Sequence, residues 1–112
     1  MRLLYLGDVV GRAGRSAVIE RLPALRAALR LDFVAVNAEN AAAGFGCTAK
    51  IADEILAAGA DAILLGDHAF DQKDILPHLE RETRILRPLN IAKAAPGACF
   101  RVFPAPRVRR VA

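Results

Sequence analysis

The 112-residue chain is predicted to fold as one α/β domain built on a parallel sheet. Short apolar runs of strand length alternate with longer segments in which apolar residues recur at helical spacing. Asp8, Glu39 and Asp67 follow the first three apolar runs, at intervals of 31 and 28 residues. Each interval is close to the roughly 30 residues of one strand-helix-strand unit. This recurrence predicts successive right-handed crossovers in one sheet, with helices on its faces.

The first strand and the first helix come from the N-terminal segment. Residues 2–6 form a short apolar run that delivers Asp8 at its carboxyl end. A glycine-spaced turn is expected over residues 11–14, and a helix is expected from about Arg15. Its packed stripe is predicted to contain Val18, Leu22, Leu25 and Leu29. Pro23 is expected to kink this helix or to divide it in two.

The second strand and helix are predicted from the next segment. Residues 32–37 are β-branched and apolar at their centre, and a mobile loop is expected over residues 41–46. Thr48 is expected to cap the following helix, which ends before Gly59. The residues of this helix expected to face inward are Ile51, Ile55 and Leu56.

Shorter elements are predicted in the second half of the chain. Residues 61–66 are expected to form the third strand, and residues 72–80 a short helix. Ile85 and Leu86 indicate a fourth strand that the following proline ends or pushes to the sheet edge. Residues 99–103 alternate in type and are predicted to start another strand.

Composition limits the class of protein. Hydrophobic residues make up 54% and charged residues 25% of the chain, which is typical of a folded globular domain. Charged residues interrupt every apolar stretch well before the roughly 18 residues that a membrane helix needs. The N-terminal apolar run is too short for a signal peptide, so a cytoplasmic protein is expected. Cys47 and Cys99 are predicted to be reduced thiols, because their spacing fits no zinc motif.

Basic residues crowd the C-terminal end, and the formal net charge is +4. The cluster consists of Arg101, Arg107, Arg109 and Arg110. RNA binding is one interpretation of such a cluster. A solvated edge is favoured instead, because aromatic side chains that would stack on bases are not interleaved with these arginines.

The three acids predict a metal site. In open α/β sheets the carboxyl ends of the strands face one crevice, so Asp8, Glu39 and Asp67 are expected to meet there. Their charges would repel each other unless a cation neutralised them. Oxygen ligands together with the amide of Asn40 and the imidazole of His68 suit Mg²⁺, Mn²⁺ or iron. Taken singly, each acid is more often a turn or helix cap, and His68 a surface residue.

Four runs of the sequence resemble the YmdB-like metallophosphoesterases, which are described as 2',3'-cyclic-nucleotide phosphodiesterases. The resemblance covers the whole chain. The runs are Leu6-Gly7-Asp8-Val9-Val10-Gly11 with Gly14-Arg15, Val36-Asn37-Ala38-Glu39-Asn40-Ala41-Ala42 with Gly44 and Gly46, Gly66-Asp67-His68-Ala69-Phe70-Asp71-Gln72-Lys73, and Leu86-Arg87-Pro88-Leu89-Asn90.

The resemblance implies a calcineurin-like α/β/β/α sandwich of four layers that carries two metal ions, most commonly iron or manganese, with magnesium as a possibility. It implies that Asp8 and Glu39 bridge or share the metals, that Asn40 binds one of them and that Asp67 binds the other. A metal-activated hydroxide would then hydrolyse a phosphodiester or cyclic nucleotide, with His68 as proton donor to the leaving oxygen.

The sequence departs from this family in two respects. Asp67 stands where the family has asparagine, which adds a negative charge to the site, and Phe70 replaces a tryptophan. The family's further histidine ligands, including a His-x-His pair, are missing, since His68 and His78 are the only histidines. Residues 1–112 are therefore expected to be the N-terminal part of a single domain whose C-terminal half is absent, and to be inactive alone.

An alternative from another class of protein remains open. The fragment would then be a non-catalytic module that binds a partner, or forms a homo-oligomer, through an exposed sheet edge. Loss of Mn²⁺ binding on Asp8→Ala would separate the metal-binding interpretation from this one.

Overall fold

The computed structural model describes residues 1–106 and 109–112, and it confirms a parallel α/β fold. Within these residues one parallel sheet has four strands in sequential order. They are β1 (Leu3–Leu6), β2 (Phe33–Asn37), β3 (Ala62–Leu64) and β4 (Ile85–Leu86). The helices between them are α1 (Gly11–Leu29), α2 (Ala49–Ala57) and α3 (Ile75–Leu79). An antiparallel pair follows, β5 (Phe103–Ala105) with β6 (Arg109–Val111).

The three helices pack on one face of the sheet, which makes the expectation of helices on its faces more specific. With strands in sequential order, every right-handed crossover places its helix on the same side. The main core lies there, where strand residues Val34, Val36 and Ile63 meet helix residues such as Leu22 and Ile55. Apolar residues one position along each strand point to the opposite face.

The opposite face of the sheet is only partly covered. Phe33 and Ala62 form a small cluster there with Phe103 of β5, and the rings of Phe33 and Phe103 meet edge to face at 5.3 Å. On the edge strand β1, Leu3 and Tyr5 share this face through the register with β2, and they are 55% and 61% exposed. An apolar strip of the sheet therefore faces solvent beside the β5–β6 hairpin.

Helix α1 differs from the prediction in its start and in its stripe. It begins at Gly11, so the turn expected over residues 11–14 belongs to the helix, and Pro23 does not divide it. Pro23 is exposed, which lets water hydrate the carbonyl group that its missing N–H leaves unpaired. Leu22 is fully buried, but Leu25 and Leu29 are 38% and 46% exposed. A helix over an edge strand has packing neighbours on one side only, so the outer positions of its stripe face water.

The predicted start and stop of α2 are confirmed. The Thr48 hydroxyl accepts a hydrogen bond from the backbone N–H of Ile51 at 3.2 Å. Gly59 follows the helix with a φ of 111°, which favours glycine. Asp61, expected as the first strand residue, instead precedes β3 and uses its carboxylate to accept from the backbone N–H of Val34 and from Arg26.

The C-terminal elements are shorter than predicted. Helix α3 covers Ile75–Leu79 rather than residues 72–80, and β4 lies at the sheet edge as expected. The strand predicted to start at Cys99 starts at Phe103 and belongs to the hairpin instead of the parallel sheet. Before that, the chain makes a single parallel bridge from Ala98 to Leu86. The chain then crosses to the opposite face of the sheet, where Phe103 packs against Phe33. Burial of the Phe103 ring favours this hairpin over a strand that starts at Cys99, which the alternation of residues 99–103 predicted.

The structure bears on the membrane and cysteine predictions drawn from the sequence. Among the residues described, no helix is long and apolar enough to cross a membrane. Both cysteines are free thiols, as predicted, and burial raises the pKa of the Cys47 thiol to about 12.

In the basic cluster, Arg101 lies over the Phe103 ring at 5.6 Å, Arg109 and Arg110 are exposed, and Arg107 lies outside the described residues.

The unequal burial of the α1 leucines gives a stability test. Leu22→Ala is expected to lower the free energy of unfolding by about 2–5 kcal/mol, because it empties a fully buried position. Leu29→Ala, on the same helix but 46% exposed, is the matched control and is expected to cost well under half as much. Urea unfolding followed by circular dichroism measures both variants. Equal losses would show that α1 packs differently.

Candidate active site

The carboxyl edge of the sheet collects the loops that carry the predicted site residues. The register aligns Leu6 with Val36 and Asn37 with Leu64 across the three central strands. The loops that follow β1, β2 and β3 therefore leave the sheet side by side. Backbone bonds extend this alignment past the strands, since Val9 N–H donates to the Asn37 carbonyl at 3.2 Å and Ala38 N–H to that of Leu64 at 3.1 Å.

Asp8 and Asn40 meet in the first part of the site. The Asn40 side-chain nitrogen donates to Asp8 Oδ2 at 2.8 Å, and the Asn40 carbonyl accepts from the Gly11 N–H at 2.9 Å. Helix α1 thus starts directly against the loop that follows β2. Because its amide nitrogen is engaged by Asp8, Asn40 has its side-chain oxygen available as a ligand.

Glu39 lies against the backbone of Gly66. A Cβ atom at Gly66 would overlap Glu39 Oε2, so only glycine leaves room for this carboxylate. The Asn37 side-chain nitrogen donates to Glu39 Oε1 at 3.3 Å. Glu39 Oε2 is buried and accepts no hydrogen bond from the residues described, and the same holds for Asn37 Oδ1. A buried carboxylate oxygen without a donor is unfavourable unless a cation compensates it.

His68 lies between two carboxylates on the loop after β3. Its Nδ1 donates to Asp71 Oδ2 at 2.6 Å, and its Nε2 lies 3.9 Å from Asp67 Oδ2. The hydrogen bond to Asp71 raises the pKa of His68, and the charges of Asp67 and Glu39 act in the same direction. Since Nδ1 is occupied by Asp71, Nε2 is the nitrogen that can give a proton to a ligand.

The loop over residues 41–46, predicted to be mobile, is held by hydrogen bonds. Within it, the Ala42 N–H donates to the Gly46 carbonyl at 2.8 Å, and the Gln72 side chain donates to the Phe45 carbonyl at 2.6 Å. A Cβ atom at Gly46 would lie 3.0 Å from the His68 carbonyl oxygen. The loops after β2 and β3 therefore pack as one unit.

The structure brings the predicted ligands to one edge but only partly together. Asp8 contacts Asn40, Glu39 contacts Gly66, and Asp67 is 87% exposed beside His68. Across residues 1–106 and 109–112, no group of three or more His, Cys, Asp or Glu side chains is placed to hold a metal ion. The four-ligand metal site stays a prediction. His78 lies elsewhere, with its side chain 15% exposed and its Nε2 3.0 Å from Asp53 Oδ1.

Three supporting residues escape identification from the sequence. Asn37 holds Glu39, Gly66 makes room for it, and Asp71 orients His68. The sequence pattern indicates only a turn residue at Asp71, although its position three residues after His68 permits a contact. A glycine directly before Asp67 indicates only the end of a strand.

Comparison with known proteins identifies the type of fold and then the family. The crystal structure of a hypothetical protein from Thermus thermophilus is similar with a TM-score of 0.85 and 38% identity, over 93% of this chain and 40% of that one. That of a novel phosphatase from Mycoplasma pneumoniae gives 0.80 and 34%, over 89% of this chain and 37% of that one. The α/β fold is thus of the metallophosphoesterase type.

The YmdB-like protein family matches residues 4–112, and the chain belongs to this family. The 2',3'-cyclic-nucleotide 2'-phosphodiesterase of Bacillus subtilis is 41% identical over 97 residues, which are 87% of this chain and 37% of that protein. A putative phosphatase/phosphodiesterase of Mycoplasma genitalium is 34% identical over 81% of this chain and 32% of that protein. The chain therefore spans about a third of the length of these relatives.

The contact between His68 and Asp71 gives a pH-dependent prediction. Asp71→Asn is expected to lower the pKa of His68, because the bond to a charged acceptor favours the protonated ring. The matched control is Asp67→Asn, which removes a charge at 3.9 Å and is expected to lower the pKa by less. Titration of the His68 ring protons by NMR measures both. A larger effect of Asp67→Asn would contradict the assigned contact.

Proposed function

We propose that this chain is the carboxylate-rich part of a metal-dependent phosphodiesterase that hydrolyses 2',3'-cyclic nucleotides. The observation that carries the proposal is the buried Glu39 Oε2, which has no donor among the described residues and lies at the carboxyl edge of the sheet. The name of the 41% identical Bacillus subtilis relative supports the substrate class. The metal ligands proposed are Asp8, Glu39, Asn40 and Asp67.

The donor set fits hard or borderline cations. Three carboxylates and one amide oxygen match the preferences of manganese, iron and magnesium, of which iron and manganese are proposed. When bound, two such ions supply an activated water molecule and positive charge for the phosphate oxygens. Asp67 adds a negative charge where the family has asparagine. Its side chain is 87% exposed, and its Oδ2 lies 3.9 Å from His68 Nε2.

The chain's own contribution to bond cleavage is proton donation by His68. Asp71 holds Nδ1, so protonated His68 presents Nε2–H to the departing oxygen. A raised pKa keeps more of the ring protonated at neutral pH, as a general acid requires. After donation the neutral ring recovers its proton from solvent, which the half-buried position of His68 permits.

The proposal includes the extent of the domain. Residues 1–112 are proposed to be the N-terminal part of a single metallophosphoesterase domain, which further residues complete. Two observations support this: the chain matches only 37% of the Bacillus subtilis relative, and the apolar strip at Leu3 and Tyr5 lies open. The same strip favours the second candidate function, a module that self-associates through this face.

Metal binding can be tested on the chain itself. Titration calorimetry with Mn²⁺ is expected to show binding that Gly66→Ala weakens about tenfold or more, because the added methyl group displaces the Glu39 carboxylate. Gly14→Ala is the matched control. Its Cβ would make ordinary contacts at 3.5 Å, so Mn²⁺ affinity is expected to stay unchanged. No measurable binding by the wild-type chain, or binding that survives Asp8→Ala, would favour the interaction module.

Hydrolysis is tested with the full-length gene product in the presence of Mn²⁺ or Fe²⁺. His68→Ala is expected to slow cleavage of 2',3'-cyclic AMP about 100-fold or more. The loss on bis-p-nitrophenyl phosphate is expected to be much smaller, because nitrophenolate leaves without a proton donor. Wild-type activity no higher than that of Glu39→Ala would overturn the proposed function.

A further inference from the structure

Phe45 is an exposed aromatic residue at the edge of the proposed site. Its side chain is 61% exposed, and its ring meets the His68 ring at 5.6 Å with an angle of 83° between the planes. A ring exposed beside a polar site offers a flat apolar surface on which a ligand ring can stack. Phe45 has no role in the proposed metal binding or in the proposed proton donation.

The backbone that carries Phe45 is fixed. The Phe45 N–H donates to the Ala42 carbonyl at 3.0 Å, and its carbonyl accepts from Gln72 at 2.6 Å. Behind it, Gly46 approaches the backbone of His68, so that a Cβ atom at this position would lie 3.0 Å from the His68 carbonyl oxygen. The phenyl ring is therefore exposed on a positioned loop, rather than free to fold back into the core. Because the backbone is held, a ligand that contacts this ring orders little additional backbone.

We propose that Phe45 is the residue on which the nucleobase of the substrate stacks, so that the site favours cyclic phosphates of nucleosides over cyclic phosphates of sugars without a base. The proposal rests on the proposed function. His68 is placed to protonate the 2'-oxygen as it leaves. The base is joined to the ribose carbon next to the one that bears this oxygen. The base therefore lies on the His68 side of the phosphate, where Phe45 is the exposed aromatic ring in contact with His68.

The bond changes are consistent with this placement. Water adds to phosphorus as the bond from phosphorus to the 2'-oxygen breaks, and His68 Nε2 gives its proton to that oxygen. The products are a 3'-phosphate and a free 2'-hydroxyl group, while the second proton of the water molecule goes to solvent. Throughout these changes the base stays attached to the ribose, so stacking on Phe45 lasts from substrate to product.

Matched substrates with and without a base test this role. Phe45→Ala is expected to lower kcat/KM for 2',3'-cyclic AMP roughly 10-fold, mainly through KM, because one aromatic stacking contact is lost. For methyl riboside 2',3'-cyclic phosphate, which has no base, the change is expected to stay within about twofold. Phe45→Trp keeps a stacking surface and is expected to retain the preference for the nucleotide.

Phe100→Ala is the matched control, since Phe100 is 65% exposed and shows no ring contact with His68. It is expected to leave both substrates unaffected. Equal losses on both substrates for Phe45→Ala would overturn the stacking role and leave the proposed phosphodiesterase intact.

A binding measurement without turnover separates the two proposals. The chain contains no tryptophan, so Phe45→Trp introduces a single fluorescent reporter. In the presence of Mn²⁺, adenosine 3'-monophosphate is expected to quench its emission, whereas ribose 3-phosphate is not. Phe100→Trp is expected to respond to neither compound. Quenching in a protein that hydrolyses nothing supports the stacking role alone, and equal responses to both compounds overturn it.

Discussion

The parallel backbone ladder between β2 and β3 sets the geometry on which the candidate site depends. Asn37 pairs with Leu64, and one further backbone bond reaches from Ala38 to the Leu64 carbonyl. This register brings Glu39 against Gly66 so closely that a methyl group there would overlap the carboxylate. Glycine is the only residue that the close approach allows. The same approach buries one oxygen of Glu39 away from any donor in the described part of the chain.

Packing between the two loops connects the position of Glu39 to that of His68. Gln72 binds the Phe45 carbonyl, and Gly46 lies against the backbone of His68, so a displacement of either loop would move the other. Asp71 then fixes which nitrogen of His68 faces outward. The metal ligands proposed and the general acid proposed are thus supported by separate contacts. A substitution at Asp71 can therefore change the pKa of His68 while leaving Glu39 in place.

The two faces of the sheet have different energetic roles. Sequential strand order places α1, α2 and α3 on one face, where they bury the main core. On the other face the β5–β6 hairpin covers Phe33 but leaves Leu3 and Tyr5 exposed. A second layer packed on this strip would bury apolar surface without rearranging the site, because the loops with Asp8 and Glu39 lie at the strand ends. This separation is compatible with the four-layer sandwich that the resemblance implies.

The sequence by itself determined the parallel α/β fold, the Thr48 cap and the strand ends that carry Asp8, Glu39 and Asp67, because periodicity, capping and spacing are local properties of the chain. Only the tertiary structure decided which helical leucines are buried, that β5 leaves the parallel sheet, and that the loop of Phe45 is fixed. It also assigned Asn37, Gly66 and Asp71 to their partners. The burial of the leucines, the departure of β5 and the approach of Gly66 to Glu39 depend on residues that are distant in sequence. The Asn37–Glu39 and His68–Asp71 contacts join residues two and three positions apart, but they depend on how each loop leaves the sheet, which no local pattern predicts.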